Sequence, residues 1–292
     1  MTLVDTIWLK YSLESMSSLS LFQRVDDSHL AFDPFPYLVI ENALPENLHT
    51  ELRRTFPSRQ ILKVVGGQNK RWSTPLLELR KIQGVTSLWR SFVEYHASQE
   101  FVNEVVTFFG DTIVQMYPKT FKSTDDIKKR PVRVRGVGSP LPGSLSLDSQ
   151  VSGNTPVSIA GAPRGIHFDS TAALWAGLYY LRSEDDDSVG GDLELWRWPK
   201  SFNYKEKSSL YREGMSPDHA HRFRTIPYRS NTFVFIINSI DSLHSVTERM
   251  PTPHTRQFLN LLCDLSAPLF RPTPNLGVRI KNIALRHVAK LR

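Results

Sequence analysis

"RGIHFDSTAALWAGLYYLR", residues 164–182, sets a histidine and an aspartate two apart and then runs into an apolar stretch that reads as the inside of a sheet. On an extended chain residues i and i+2 project to one face. His167 and Asp169 therefore point together into whatever the sheet encloses, with Phe168 packing on the other side.

The surrounding sequence indicates what kind of sheet this is. From about Val132 the chain reads as short strands: "VRVRG", "RGIHFDS", "ALWAGLYYLR", "GDLELWRW", "NTFVFIINS", "LHSVTE" and "RQFLNLLCDL", parted by Gly, Pro, Ser and Asp clusters. The first third is mixed and more helical. After a strand in "PYLVIENA", Pro45 opens a helix through "ENLHTELRRTF" that Pro57 stops. Two further helices follow in "VTSLWRSFVEYHAS" and "SQEFVNEVVTFFG", the second capped by Ser98 and ended by Gly110. Many short strands after a helical region predict an α+β chain with a mainly β core, a sandwich or jelly roll with helices packed outside it.

Composition bounds the function. At 292 residues the chain can bury a sizeable core. Its net charge of +7 invites a nucleic-acid reading, but the basic residues are dispersed except in the last fifteen positions, which disfavours nucleic acid as a partner. The single cysteine, Cys263, forms no intrachain disulfide, so a reducing cytoplasmic setting is expected. The opening "MTLVDTIWLKYSLESMSSLSLF" lacks a basic start and carries Asp5 and Glu14, and is expected to be neither a signal peptide nor a membrane span.

A third ligand would turn the His-Asp pair into a metal site, and His244 in "NSIDSLHSV" is the candidate, just after the apolar "NTFVFII". His219 and His221 lie in a polar stretch, His254 in a turn, and His29, His49, His96 and His287 outside the strand region. Two histidines and one carboxylate form the facial triad that suits non-haem Fe(II). Zinc stays open, although structural zinc favours thiolates that one cysteine does not supply.

At this point residues 130 to 266 resemble the 2-oxoglutarate and Fe(II)-dependent oxygenase superfamily, in its prolyl-4-hydroxylase-like branch. The family pattern of HxD, a distal His and then an Arg on the following strand maps onto His167, Asp169, His244 and Arg256. The phrases "LDSQVSGNTPV", "GLYYLR", "GGDLELWRW" and "NTFVFIINSIDSLHSV" agree with it, and "DPFPYLVIENALP" is similar to the opening of microbial members. The resemblance implies a double-stranded β-helix (jelly roll, cupin-like) catalytic core over 126–270. An N-terminal mixed helical scaffold over 1–125 would be integral to it, and 271–292 would be a basic C-terminal helix or tail. It also implies Fe(II), 2-oxoglutarate as co-substrate and O2, with ascorbate as a reductant. A small-molecule, peptide or glycan substrate would be hydroxylated at an unactivated C–H bond, releasing succinate and CO2. Related halogenases lack the carboxylate of the triad, so Asp169 favours hydroxylation.

The dicarboxylate co-substrate needs a cation for its far end, and arginine's planar fork meets a carboxylate with two parallel hydrogen bonds. Arg249 stands at an odd offset from His244 and is expected to face away. Arg256 opens a strand expected to pair with that of His244, sharing a face with Phe258 and Asn260. Family members often carry Ser or Thr where this chain has Phe258. The second hydrogen bond to the far carboxylate is therefore expected from Tyr179 or its neighbour Tyr180, whose side chains alternate faces; Tyr179 is named as the cofactor-binding one. Trp196, Trp198, Asp192 and Glu194 read as structural, and the polar stretch from Lys200 to Arg222 as a loop that borders the pocket and selects substrate. Two other classes remain: a cupin-like isomerase or hydrolase without 2-oxoglutarate, in which Arg256 has no reason to reach the pocket, and a nucleic-acid-directed demethylase exploiting the +7 charge.

Overall fold

The computed structural model describes residues 18–138, 141–210 and 215–271, so the basic tail beyond Arg271 and the opening of the chain lie outside the described residues. Two strands come first, β1 (Leu30–Ala31) and β2 (Tyr37–Glu41), then α1 (Glu46–Arg54) with Pro45 at its N-cap. A short strand β3 (Arg71–Thr74) and α2 (Leu76–Leu79) lead to α3 (Ser87–Tyr95) and α4 (Gln99–Met116). Thr86 and Ser98 cap the last two by accepting from the backbone N–H groups of Trp89 and Phe101. The expectation that Gly110 ends α4 is overturned, since the helix continues to Met116. A Cβ at Gly110 would sit 2.8 Å from both Thr124 Cγ2 and Val106 Cγ1, so the glycine makes room for α5 (Thr124–Lys128) instead of terminating the helix.

The remaining elements are β4 (Val132–Val134), β5 (Leu145–Asn154), β6 (Ala173–Tyr180), β7 (Leu193–Arg197), α6 (Tyr204–Leu210), β8 (His221–Ile226), β9 (Thr232–Ile237), β10 (His244–Val246) and β11 (Arg256–Asp264). One sheet runs β1-β2-β9-β6-β11-β5-β3, with β4 parallel to β5 at its side. The smaller sheet runs β10-β7-β8 and is extended by an antiparallel bridge between His167 and His244. The chain alternates between the two: β5 lies in the first, the His167 segment in the second, β6 in the first, β7 and β8 in the second, then β9, β10 and β11 in alternation. That winding is a jelly roll, the double-stranded β-helix.

Alternation along each strand of the larger sheet divides its two faces. Phe233, Phe235, Leu259, Leu261 and Cys263 pack with Trp89, Phe92, Phe101 and Phe109 of α3 and α4 in one large apolar cluster. Removing one of these rings costs about 3–5 kcal/mol. The alternate positions of the same strands, including Leu178, Val234, Ile236, Arg256, Phe258 and Asn260, face the space between the sheets. Helices thus cover one side of the sheet, leaving the other to line a cavity.

Three expectations change here. β10 and β11 do not form a hairpin, because they lie in different sheets; the connecting segment pairs instead with residues 157–161, through Thr252 with Val157 and Arg249 with Gly161. The HxD stretch contributes single bridges at Ile166 and His167 rather than a full strand. The stretch 200–222 is not a plain loop: it holds α6, a 3-10 turn at Pro217–His219 and the start of β8. Phe202, Leu210 and Met215 join Trp196 and Trp198 around Ile166 and Leu243, and none of its described residues lines the cavity. Its apolar residues dock it behind the HxD segment.

Candidate active site

His167 and His244 are directly opposed and exchange both backbone hydrogen bonds, 2.9 and 2.8 Å. Opposed residues of an antiparallel pair project to the same side, and the two imidazole centroids are 4.2 Å apart. Asp169, two residues beyond His167, completes the group: its carboxylate oxygens lie 4.0 Å from His167 Nε2 and 3.9 Å from His244 Nε2. All three donor atoms fall within 4.8 Å of one another, and no other such trio of His, Cys, Asp or Glu occurs among the described residues.

The tautomers are fixed by the backbone. His167 Nδ1–H donates to the Gly165 carbonyl at 2.7 Å and His244 Nδ1–H to the Ser242 carbonyl at 3.0 Å, so each Nε2 carries a lone pair. His167 is 2% exposed, and its Nε2 has no hydrogen-bond partner. A buried lone pair without a donor demands an explanation, and a cation between the three residues supplies one. Burial, with His244 and Arg164 adding like charge, holds the His167 pKa well below the ordinary histidine range. It is therefore neutral and ready to ligate. Nitrogen and carboxylate donors of this set suit Fe(II).

The triad opens on a cavity of about 570 Å³ that also reaches Arg256. Arg256 is 2% exposed, and its guanidinium lies over the rings of Tyr180 (5.0 Å), Tyr228 (5.0 Å) and Phe258 (4.9 Å). Its Nε–H donates to the Gly191 carbonyl at 2.8 Å, which a Gly190–Gly191 turn with φ of +83° and +80° brings into place. Its Nη2 is buried with no partner. The arginine is thus fixed in orientation, with the N–H donors of Nη2 left over for a ligand.

Arg249 faces elsewhere, as expected. It is fully buried and donates to Asn69 Oδ1 (2.9 Å), the Thr155 carbonyl (2.9 Å) and the His254 carbonyl (3.0 Å), where it ties loops together. The choice of Tyr179 is overturned. Its hydroxyl lies 2.6 Å from His49 Nδ1 and donates to Asn231 Oδ1 at 3.0 Å, on the helix-covered face. Tyr180 is the tyrosine beside Arg256, and its hydroxyl is buried without a partner. Burial raises the Tyr180 pKa against the pull of Arg256, so the group is a protonated donor at neutral pH. Trp196 and Trp198 are packing residues, with their indole N–H groups on Ser245 Oγ (2.8 Å) and the Ile240 carbonyl (2.9 Å). Asp192 and Glu194 are spent on Tyr228 N–H and on Arg222 and Ser245.

Sequence reasoning passed over Arg71, Asn154 and Arg164, which also line the cavity. Asn154 had a signal: Gln150, Ser152 and Asn154 recur at period two along β5, a polar face facing inward. Arg71 had none, since the four residues of β3 are too few to show a period.

No protein-family model matches the chain, and no curated protein sequence does. Among solved structures, it is similar to a prolyl 4-hydroxylase of Phytophthora capsici at 15% identity and a TM-score of 0.39, covering 85% of this chain and 63% of that one, under two thirds of its length. A prolyl-4-hydroxylase of Pseudomonas putida aligns at 10% identity and a TM-score of 0.43, covering 80% of this chain and 95% of that one. The non-heme alpha-ketoglutarate-dependent carbocyclase SnoK of nogalamycin biosynthesis aligns at 13% identity and a TM-score of 0.44, covering 90% and 92%. Likenesses this distant carry no reaction across, and what the chain does has to be read from its own triad and cavity.

Proposed function

We propose that this chain is a Fe(II)- and 2-oxoglutarate-dependent dioxygenase that hydroxylates an unactivated C–H bond, converting substrate, 2-oxoglutarate and O2 to hydroxylated product, succinate and CO2. The observation that carries the reading is the pairing, in one cavity, of an unpartnered imidazole lone pair on His167 with an unpartnered guanidinium nitrogen on Arg256. A cation fits the first and a carboxylate the second. A molecule with a metal-chelating end and a far carboxylate fits both.

In this reading His167 and His244 hold the metal through Nε2 and Asp169 through its carboxylate, while the Gly165 and Ser242 carbonyls fix the rings. Bound Fe(II) supplies the activation of O2 for C–H oxidation, coupled to decarboxylation of 2-oxoglutarate. Arg256 receives the far carboxylate, and Tyr180 donates the second hydrogen bond that Phe258 lacks the hydroxyl to provide. Leu178, Leu193, Val234 and Ile236 form apolar walls that limit water around the reacting carbon. A cupin-like isomerase or hydrolase would leave the free donor of Arg256 without a use.

The direct test is metal stoichiometry by equilibrium dialysis and elemental analysis. Wild type is expected to bind about one Fe(II), Co(II) or Mn(II) per chain, and the His167→Ala, His244→Ala double variant none. Undiminished stoichiometric binding in the double variant would sink the assignment.

A further inference from the structure

The cavity wall holds four arginines, Arg71, Arg135, Arg164 and Arg256, against two aspartates, Asp169 and Asp264. Arg135 is paired with Asp264 at 3.1 Å, and Arg164 lies 3.6 Å from Asp169. Arg256 is the cation assigned above to the far end of the co-substrate. Arg71 remains, and among the described residues it makes no hydrogen bond and no ion pair. Its one ring contact is with Phe258, 5.5 Å from guanidinium carbon to centroid, on the ring that Arg256 also faces.

Register explains how Arg71 comes to be there. In the larger sheet Arg71 pairs with Asn154, and Asn154 pairs on its other side with Arg256. The three form one row across β3, β5 and β11, all lining the cavity. Asn154 is 2% exposed, and its Nδ2 has no partner. The row therefore presents an amide donor and a guanidinium beyond what Arg256 uses. Arg71 itself is exposed, although its surroundings desolvate it and the neighbouring Arg164 and Arg256 lower its pKa, against the pull of Asp169.

Resting on the dioxygenase reading, we propose that Arg71, with Asn154 beside it, is the recognition site for a carboxylate on the substrate, so that the enzyme acts on a small carboxylic acid. Charge supports this class. Once Fe(II) is met by Asp169 and the chelating carboxylate, and Arg256 by the far carboxylate, the guanidiniums of Arg71 and of Arg164 beside Asp169 are the positive charge left on the cavity wall, and Arg71 is the one in the row with Asn154. A planar fork on a single cation matches a carboxylate monoanion. The cavity also limits size, since about 570 Å³ has to hold the co-substrate as well as the reacting molecule.

The test uses the full chain loaded anaerobically with Mn(II) and 2-oxoglutarate, and ligand-observed NMR against a fixed panel: straight-chain monocarboxylates, the L-α-amino acids, and for each acid its primary amide, with short alkyl phosphates as a further arm. At least one acid is expected to bind tenfold or more better than its amide. In Arg71→Gln that preference should fall by roughly ten- to a hundredfold, the range for losing a hydrogen bond to a charged group, and Arg71→Lys should restore part of it. The proposal is overturned if no acid is preferred over its amide, if the preference survives in Arg71→Gln, or if phosphates are bound best. It is equally overturned if Arg71→Gln weakens 2-oxoglutarate itself as strongly as any acid, since Arg71 would then serve the co-substrate. Failure of the dioxygenase reading shows separately, as wild type that does not bind 2-oxoglutarate in a metal-dependent way.

Discussion

Replacing Arg256 by methionine or alanine is expected to leave the metal in place and to weaken 2-oxoglutarate binding severely. The guanidinium is 2% exposed, held by the Gly191 carbonyl and three aromatic rings, and its free Nη2 is the donor available to a ligand. Removing one partner of a buried, hydrogen-bonded charge pair costs about 2–5 kcal/mol. At about 1.4 kcal/mol per decade, this is roughly thirty- to several-thousandfold in affinity. Methionine is the cleaner variant because it fills most of the space between the rings, whereas alanine leaves a hole among Tyr180, Tyr228 and Phe258. Arg256→Lys should recover only part of the loss, since a point charge does not reproduce the fork. The assay is an anaerobic titration of Fe(II)-loaded protein with 2-oxoglutarate, following the charge-transfer absorption of the chelate. 2-Oxovalerate, which keeps the chelating end and lacks the far carboxylate, should bind wild type and Arg256→Met equally. The reasoning is refuted if Arg256→Met titrates with 2-oxoglutarate like wild type, or if it weakens 2-oxovalerate just as much.

The two adjacent tyrosines are expected to separate by function. Tyr180→Phe should weaken 2-oxoglutarate several-fold with little change in stability, because its hydroxyl has no protein partner to lose, whereas Tyr179→Phe should leave the titration unchanged and lower stability by about 1–3 kcal/mol by leaving the buried His49 Nδ1 without its partner; urea denaturation beside the same titration distinguishes them. Arg249→Ala should appear in the urea midpoint rather than in affinity, since three acceptors lose their donor. Acid should destabilise the fold between about pH 6.5 and 4. His96 donates through Nδ1 to the Phe92 carbonyl and accepts the Leu21 N–H at Nε2, and burial lowers its pKa to about 4, as it does for His49. The unfolded chain binds the proton first as pH falls, so this stability is complete above about 6.5 and lost below it, by about 3 kcal/mol for His96; a urea midpoint that stays flat down to pH 4.5 would contradict it.

What was legible in the sequence follows the reach of each physical signal. Helix caps and period-two apolar runs are local, and they located α3, α4, β6, β7, β9 and β11. The triad was legible too, because HxD is a two-residue spacing and His244 follows directly on an apolar strand. Strand partnership is not local. The placing of β10 and β11 in different sheets depends on how residues 249–252 pair with 157–161, which no run of sequence encodes. Strand β5 escaped notice because its inward face is polar, and β3 because it is short. The helix-ending role given to Gly110 failed for a similar reason: the α5 contact that requires a glycine lies fourteen residues on.

The tyrosine error shows how a small ambiguity in phase decides chemistry. In "GLYYL" two neighbouring rings have the same composition and opposite faces, and shifting the phase of a strand by one residue exchanges them. The information that resolves it lies on the partner strand. Arg256, Phe258 and Asn260 face inward on β11, and Phe258 is directly opposed to Tyr180 on β6, so Tyr180 must face inward as well. The same pairing accounts for the departure at Phe258. A hydroxyl two residues after the arginine would sit on β11; here that position holds a ring that two guanidiniums face, and a hydroxyl comes from the residue across the ladder. Tyrosine reaches further than serine, so the donor can move one strand over and still stand beside Arg256. Position 258 is then free to support Arg71 and Arg256 together, and that links the end of the cavity where the co-substrate is proposed to bind to the end where a substrate carboxylate is proposed to bind.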